Sequence, residues 1–256
     1  MKLNYREEGS GPAVILIHGM FGSLSNLGGL ARALAEQYRV ISVDMRNHGD
    51  SPHELQMDLP SMADDIVELL DDLNLPSAIL IGHSLGGKVA MQVALNNPSR
   101  VSRLVVIDIS PVTYTSLQDT ALDALNRLAA NPAASRAEAD SMISGKIVDP
   151  GTRAFLLKTL ARDDQGQLRP KLNLASINQN YATSLVAAPS GQPYSGATLF
   201  LKGEHSAYIQ QKHRPIIQQL FPASQVEVVA DCGHWLHAEK PAEVNGLIEA
   251  FIGTNR

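Results

Sequence analysis

A single cysteine in 256 residues leaves no partner within the chain, so neither an internal disulfide framework nor a multi-cysteine metal site is available. Basic runs are also missing. With 26 acidic against 21 basic side chains and a net charge of -5, nothing here follows a phosphate backbone, and nucleic acid is excluded as an expected partner. No window reaches the ~20 continuous apolar residues of a membrane span. The amino terminus, MKLNYREEGSGPAVILIHG, places charge and two glycines ahead of its short apolar stretch, which is not the order of a secretory leader. What remains is a chain with 44% hydrophobic residues, enough to fill an interior without disulfide, metal or obligate partner. Its length is about 1.7 typical domains of ~150 residues, so one large domain or one domain with an insertion is expected. A cytoplasmic protein, monomeric or a small homo-oligomer, fits these limits.

The first half alternates short β-branched runs with longer segments. AVILI (Ala13 to Ile17), RVISV (Arg39 to Val43), SAILI (Ser77 to Ile81) and RLVVI (Arg103 to Ile107) are apolar nearly throughout, as strands buried on both faces are. Between them, helices are predicted over Asn26 to Tyr38, over Ser61 to Leu73 with the serine as cap, and over Ser84 to Asn97, which runs up to Pro98. Strand, helix, strand in this order predicts an α/β fold with a mostly parallel central sheet flanked by helices. From 112 to 193 the rhythm changes. Helices are predicted over Leu117 to Ala130, Ser135 to Ser144 and Thr152 to Leu160, with no convincing strand, so this stretch reads as an inserted helical cap between core segments 1–111 and 194–256. ATLFL (Ala197 to Leu201) and VEVVA (Val226 to Ala230) then resume the strand pattern, separated by a helix around Ile209 to Leu220 and followed by one from about Pro241 to Ile252.

The most informative residues are Gly82-His83-Ser84-Leu85-Gly86, a G-x-S-x-G pattern where a predicted strand meets a predicted helix. A turn that sharp strains its central residue, and only small residues at Gly82 and Gly86 let strand and helix approach. Ser84 then stands on the crest as a candidate nucleophile, with the Leu85 amide facing the oxygen that becomes negative. A neutral hydroxyl is a weak nucleophile and needs a base. His234, in the ADCGHW segment after the last predicted strand, is the best placed of eight histidines; His18, His48, His83, His205 and His237 compete, His18 and His83 being more suited to orienting loops and His237 to a helix start or the surface. For the acid that fixes the imidazole tautomer, Asp108 at the end of RLVVID is favoured over Glu204 after ATLFL, and Asp231 is close to His234 only along the chain. A second oxyanion donor is expected from Met20 in His18-Gly19-Met20-Phe21-Gly22-Ser23, while the side chains of Met20, Phe21 and Leu85 are candidates to line an acyl pocket. Cys232 reads as a small buried residue.

These stretches carry a resemblance. HGMFGS (His18 to Ser23), VDMRNHG (Val43 to Gly49), GHSLGGKVAM (Gly82 to Met91), VVIDISPVTY (Val105 to Tyr114) and GHWLHAEKP (Gly233 to Pro241) span the chain, and they resemble the α/β-hydrolase superfamily. Within it they are similar to bacterial YbfF-type esterases, relatives of abhydrolase domain-containing protein 11. The resemblance implies a core with a helical lid and a serine carboxylesterase working through an acyl-enzyme. It implies Ser84 as nucleophile, His234 as base, Asp108 as acid, and the Met20 and Leu85 amides as oxyanion donors. Many superfamily members place the acid after the next core strand, where this chain has Ser206, whose hydroxyl cannot carry the needed charge. Another departure is Asp50 after RNHG, where many relatives carry serine or arginine.

A small-molecule ester is the expected substrate, with no cofactor and no metal, since the histidines lack a ligand spacing such as H-E-x-x-H. Rival readings are a cofactor-free haloperoxidase or perhydrolase, in which peroxide intercepts the same acyl-enzyme, and a catalytically inactive hydrolase-fold binding protein.

Overall fold

In the computed structural model, residues 1–114 and 120–253 are described. The main sheet has seven strands in the order β1-β3-β2-β4-β5-β8-β9. These are β1 (Tyr5–Glu8), β2 (Ala13–Ile17), β3 (Arg39–Val43), β4 (Ala78–His83), β5 (Val101–Ile107), and, after a small hairpin of β6 (Leu160–Arg162) and β7 (Leu168–Pro170), β8 (Thr198–Gly203) and β9 (Ser224–Val229). All neighbours in the main sheet pair in parallel except β1 against β3. The helices are α1 (Gly28–Leu34), α2 (Leu59–Asp72), α3 (Leu85–Asn96), α4 (Thr120–Ala130), α5 (Arg136–Ser144), α6 (Pro150–Lys158), α7 (Leu174–Asn180), α8 (Arg214–Leu220), α9 (Leu236–Glu239) and α10 (Pro241–Gly253).

The unbroken apolar strands follow from a core on each face of the sheet. Side chains alternate between faces along a strand, so Leu80, Leu104 and Val106 pack with residues of α2 and α3, while Ile81, Val105 and Ile107 pack with α1 and α10. Both faces are covered, and the sheet leaves its loops at the strand ends as the place for chemistry. Register decides which loops meet. Ile17 pairs with Gly82 and His83 with Ile107, so the segments after β2, β4 and β5 leave the sheet at one edge.

Several elements differ from the sequence expectation, each for a physical reason. β1 is YREE, exposed at the sheet edge and held by pairing to β3, so it carries no apolar pattern. The α2 helix starts two residues before Ser61: Asp58 is the cap, its side chain accepting the Ser61 amide, and Pro60 fits the first turn. A 3-10 turn, Leu24–Leu27, precedes α1, which ends at Leu34 rather than Tyr38. Within 112–193 the expected absence of strands is corrected by the β6–β7 hairpin, three residues a side, whose connecting turn is closed by Asp163 accepting the Gln165 and Gln167 amides. Residues 117–119 of the helix predicted to end at Ala130 lie outside the described residues.

Candidate active site

Ser84 occupies the turn between β4 and α3 with φ 53 and ψ -119, a conformation that non-glycine residues seldom adopt. Its amide donates to the Ile107 carbonyl at 2.9 Å, and its carbonyl accepts the Lys88 amide at 3.1 Å, so sheet and helix together hold the strain. The side chain makes no capping bond to the helix, which leaves the hydroxyl available to the cavity it lines. The flanking glycines are required by contact. A Cβ on Gly82 would lie 2.2 Å from the Gly86 carbonyl oxygen, and one on Gly86 would lie 2.2 Å from that of Ile17.

Beside this turn runs the loop after β2. Gly19 touches it so closely that an added Cβ would stand 3.2 Å from the Ser84 Cβ. Two buried, neutral imidazoles pin the loop. His18 donates through Nδ1 to the Gly19 carbonyl at 2.7 Å and accepts the Met45 amide at Nε2. His48 donates through Nδ1 to the Arg46 carbonyl and accepts the Phe21 amide at Nε2, which supports Phe21 at φ 61. Burial, with His18 close by, pushes the His48 ring down to about 3. Met20, Phe21 and Leu85 all line the cavity.

His234 lies in the loop between β9 and α9. Its Nδ1 is 2.7 Å from Oδ2 of Asp108, a carboxylate with no solvent exposure at the end of β5. Asp108 is itself fixed. Its amide donates to the Leu201 carbonyl, Oδ1 accepts the Gly203 amide at 3.2 Å, and Oδ2 also accepts the Ser206 hydroxyl. With Asp108 as acceptor, Nδ1 of His234 carries the proton and Nε2 presents a lone pair. The Tyr208 ring stacks on the imidazole at 4.1 Å and 30°, and His83 donates through Nε2 to the His234 carbonyl at 3.0 Å. Burial and the neighbouring His237 and His234 hold His83 well below the usual histidine range.

The structure thus brings Ser84, His234, Met20 and Leu85 to one cavity of about 710 Å³, with Asp108 behind His234. Glu204 is elsewhere: it is exposed and accepts the Asp231 amide at 3.0 Å. Glu204, His205 and Asp231 form an exposed group whose possible metal-ligating atoms lie within 4.8 Å of one another, the one such group among the described residues. Of the two places expected for His237 the structure has the helix start, in the first turn of α9, and not the surface: its ring packs 4.4 Å from that of His83, and burial pushes it down to about 4. Cys232 is buried, its thiol donating to the Val229 carbonyl. Sequence reasoning set Ser206 aside for lacking charge, yet its hydroxyl contacts the buried carboxylate; its place after β8 was the available signal. Nothing in the chain's pattern pointed to Tyr208. Asp50 pairs with Lys171 from the segment after β7, beside a separate cavity of about 210 Å³ that also touches Phe21 and Phe155.

A family model of the alpha/beta hydrolase fold matches residues 12–241. The chain belongs to the alpha/beta hydrolase fold family. Among α/β hydrolases it is closely related to the ABHD11 and YbfF esterases. It is 39% identical to sn-1-specific diacylglycerol lipase ABHD11 of Mus musculus over 94% of this chain and 81% of that protein. It is 35% identical to Esterase YbfF of Escherichia coli (strain K12), covering 98% of this chain and 99% of that one. A solved structure titled Marine microorganism esterase superposes with a TM-score of 0.93 at 36% identity, covering 98% and 99% of the two chains. Among the described residues no helix of this hydrolase-fold chain is long and apolar enough to cross a membrane.

Proposed function

We propose that this α/β hydrolase is a serine carboxylesterase that cleaves small to medium carboxylic esters through Ser84, His234 and Asp108. The observation that carries the reading is the 2.7 Å contact from His234 Nδ1 to the fully buried Asp108, on the wall of the cavity that Ser84 faces. Nε2 of His234 takes the Ser84 proton as Oγ attacks the ester carbonyl, and the imidazolium so formed is stabilised by Asp108. The tetrahedral oxyanion rests on the amides of Met20 and Leu85, where each donor is worth roughly 3 kcal/mol in the transition state. As the C–O bond breaks, His234 returns the proton to the leaving alcohol. Water repeats the attack on the acyl-Ser84 ester, giving up its proton to His234 and releasing the acid. Residues 112–193 act as the cap over a core of 1–111 and 194–256, with Phe155, Leu156 and Leu185 supplying apolar wall. A cavity of about 710 Å³ suits an acyl chain of modest length. The relatives' names, esterase and lipase, point to the same chemistry.

A fluorophosphonate probe tests the assignment. Labelling and ester turnover are expected for the native chain and absent from a folded Ser84→Ala variant; an unlabelled, folded native chain would refute the reading.

A further inference from the structure

Helix α3 carries a buried polar row directly after Ser84. Lys88 and Gln92 follow at four-residue intervals and so share one helix face. Each is only 2% exposed, in a helix otherwise built from apolar residues and glycine up to its final asparagine. Both side chains hold the same stretch of backbone. Lys88 Nζ donates to the carbonyls of Val186, at 2.8 Å, and Ala187. Gln92 donates through Nε2 to the Ser190 carbonyl at 2.8 Å and accepts the Ser190 amide at Oε1, at 3.0 Å. The Tyr114 amide adds a second donor to the Val186 carbonyl, at 2.9 Å. At the end of this strap the approach is tightest: a Cβ on Gly191 would lie 2.4 Å from Asn96 Oδ1. Residues 186–191 have no helix or strand of their own, so the side chains of α3 fix where they run.

The choice of lysine is costly. Its amine is buried against two carbonyls and the face of the Tyr114 ring, 4.8 Å from the centroid, with no carboxylate partner among the described residues, and burial pushes it down to about 7. Methionine would fill nearly the same space without a polar end to desolvate. What the amine achieves is a donor aimed at two consecutive carbonyls. Val186 lines the cavity shared by Ser84 and His234, as do Leu185 and Lys88 itself, whereas Gln92 does not.

We propose that Lys88 is a specificity-determining residue, which by clasping the Val186 and Ala187 carbonyls fixes one wall of the cavity and so limits the acyl length that Ser84 can accept. Acyl selection by this wall presupposes the ester-hydrolysing role proposed for Ser84. Lys88→Met keeps an unbranched side chain, one heavy atom shorter, and removes the clasp; Lys88→Arg supplies a donor again. Each methylene newly admitted is worth about fourfold in kcat/KM. The ratio of octanoyl to butyryl ester kcat/KM is therefore expected to rise at least ~10-fold in Lys88→Met, through a lower KM for the longer ester. In Lys88→Arg the ratio is expected to fall back toward the native value, and in Gln92→Leu, one turn further from the cavity, to change less than in Lys88→Met. Fluorophosphonate labelling of Ser84, with its small probe, stays near the native rate. Should Lys88→Met not fold, Lys88→Gln, which keeps a shorter, uncharged donor, is expected to shift the ratio in the same direction. An unchanged ratio in folded variants, or an equal fall for every chain length, overturns the assignment of Lys88. Failure of the native chain to hydrolyse any ester or take the probe overturns the esterase reading instead.

Discussion

Replacing Asp108 with asparagine separates the electrostatic role of this carboxylate from its packing. Asparagine tolerates the φ of 52 found here and differs by one atom, so the backbone has no reason to move. The amide can take two orientations. With its NH₂ at the Oδ1 position it faces the Gly203 amide, a backbone donor that cannot invert, and leaves an unsatisfied clash worth about 1–3 kcal/mol. With its NH₂ at the Oδ2 position it faces His234 and the Ser206 hydroxyl, and both partners can adapt. The hydroxyl turns to accept, and the imidazole moves its proton to Nε2. The second orientation is favoured, and it is the one that would disable His234 in the base role proposed for it.

The expected result is therefore a variant that melts near the native temperature but has lost activity. The shift to the wrong tautomer accounts for about 5- to 150-fold, from the 1–3 kcal/mol between orientations. Loss of the negative charge beside the imidazolium adds to it, for a total near 10⁴-fold, or about 5.4 kcal/mol in the transition state. The assay is kcat/KM on a short-chain ester, with a thermal melt on the same preparation and Glu204→Gln as the comparison. A folded Asp108→Asn retaining more than a tenth of native kcat/KM would refute the reasoning. So would a collapse confined to Glu204→Gln, which would move the acid to the loop after β8.

Two other perturbations test the frame around the site. Gly86→Ala puts a Cβ 2.2 Å from the Ile17 carbonyl, so α3 must part from β2 by on the order of 1 Å, and a displacement of that size at the oxyanion donors costs about 10²-fold in kcat; a native turnover number in this variant would show that the turn has slack. The buried histidines predict acid sensitivity. His48 and His237 are pushed from 6.5 down to about 3 and about 4, so the unfolded chain binds more protons than the folded one below pH 6.5. Their contribution is intact above that pH and is lost as pH falls through the 6.5-to-3 window, amounting to about 2 kcal/mol each at pH 5. Urea midpoints measured from pH 7 to pH 4 should fall, and His48→Gln should flatten the slope; an unchanged slope would mean that His48 is protonated in the fold.

How far the sequence could be read depends on whether a residue's role is set by neighbours along the chain or across it. The parallel strands were legible because a strand covered on both faces is apolar nearly throughout, as AVILI of β2 and the AILI that opens β4 are. β1 was not, because YREE lies exposed on an edge and is a strand only through its partner. The same division runs through the site. Ser84 announces itself, since its backbone strain demands glycine on either side within two residues. His234 and Asp108 could be ranked by strand order, because the ends of consecutive parallel strands share an edge, but their 2.7 Å contact spans 126 residues of sequence. The roles of Tyr208, Ser206 and Lys88 are not set by their neighbours along the chain. Each is placed by what it meets: an imidazole face, a buried carboxylate and a pair of strap carbonyls. Of the three, Lys88 left the most usable trace, a lone basic residue inside the largely apolar run LGGKVAMQVAL. A buried amine that the packing of α3 does not need has to be answered by something outside the helix, and the strap carbonyls on the cavity wall are what answers it.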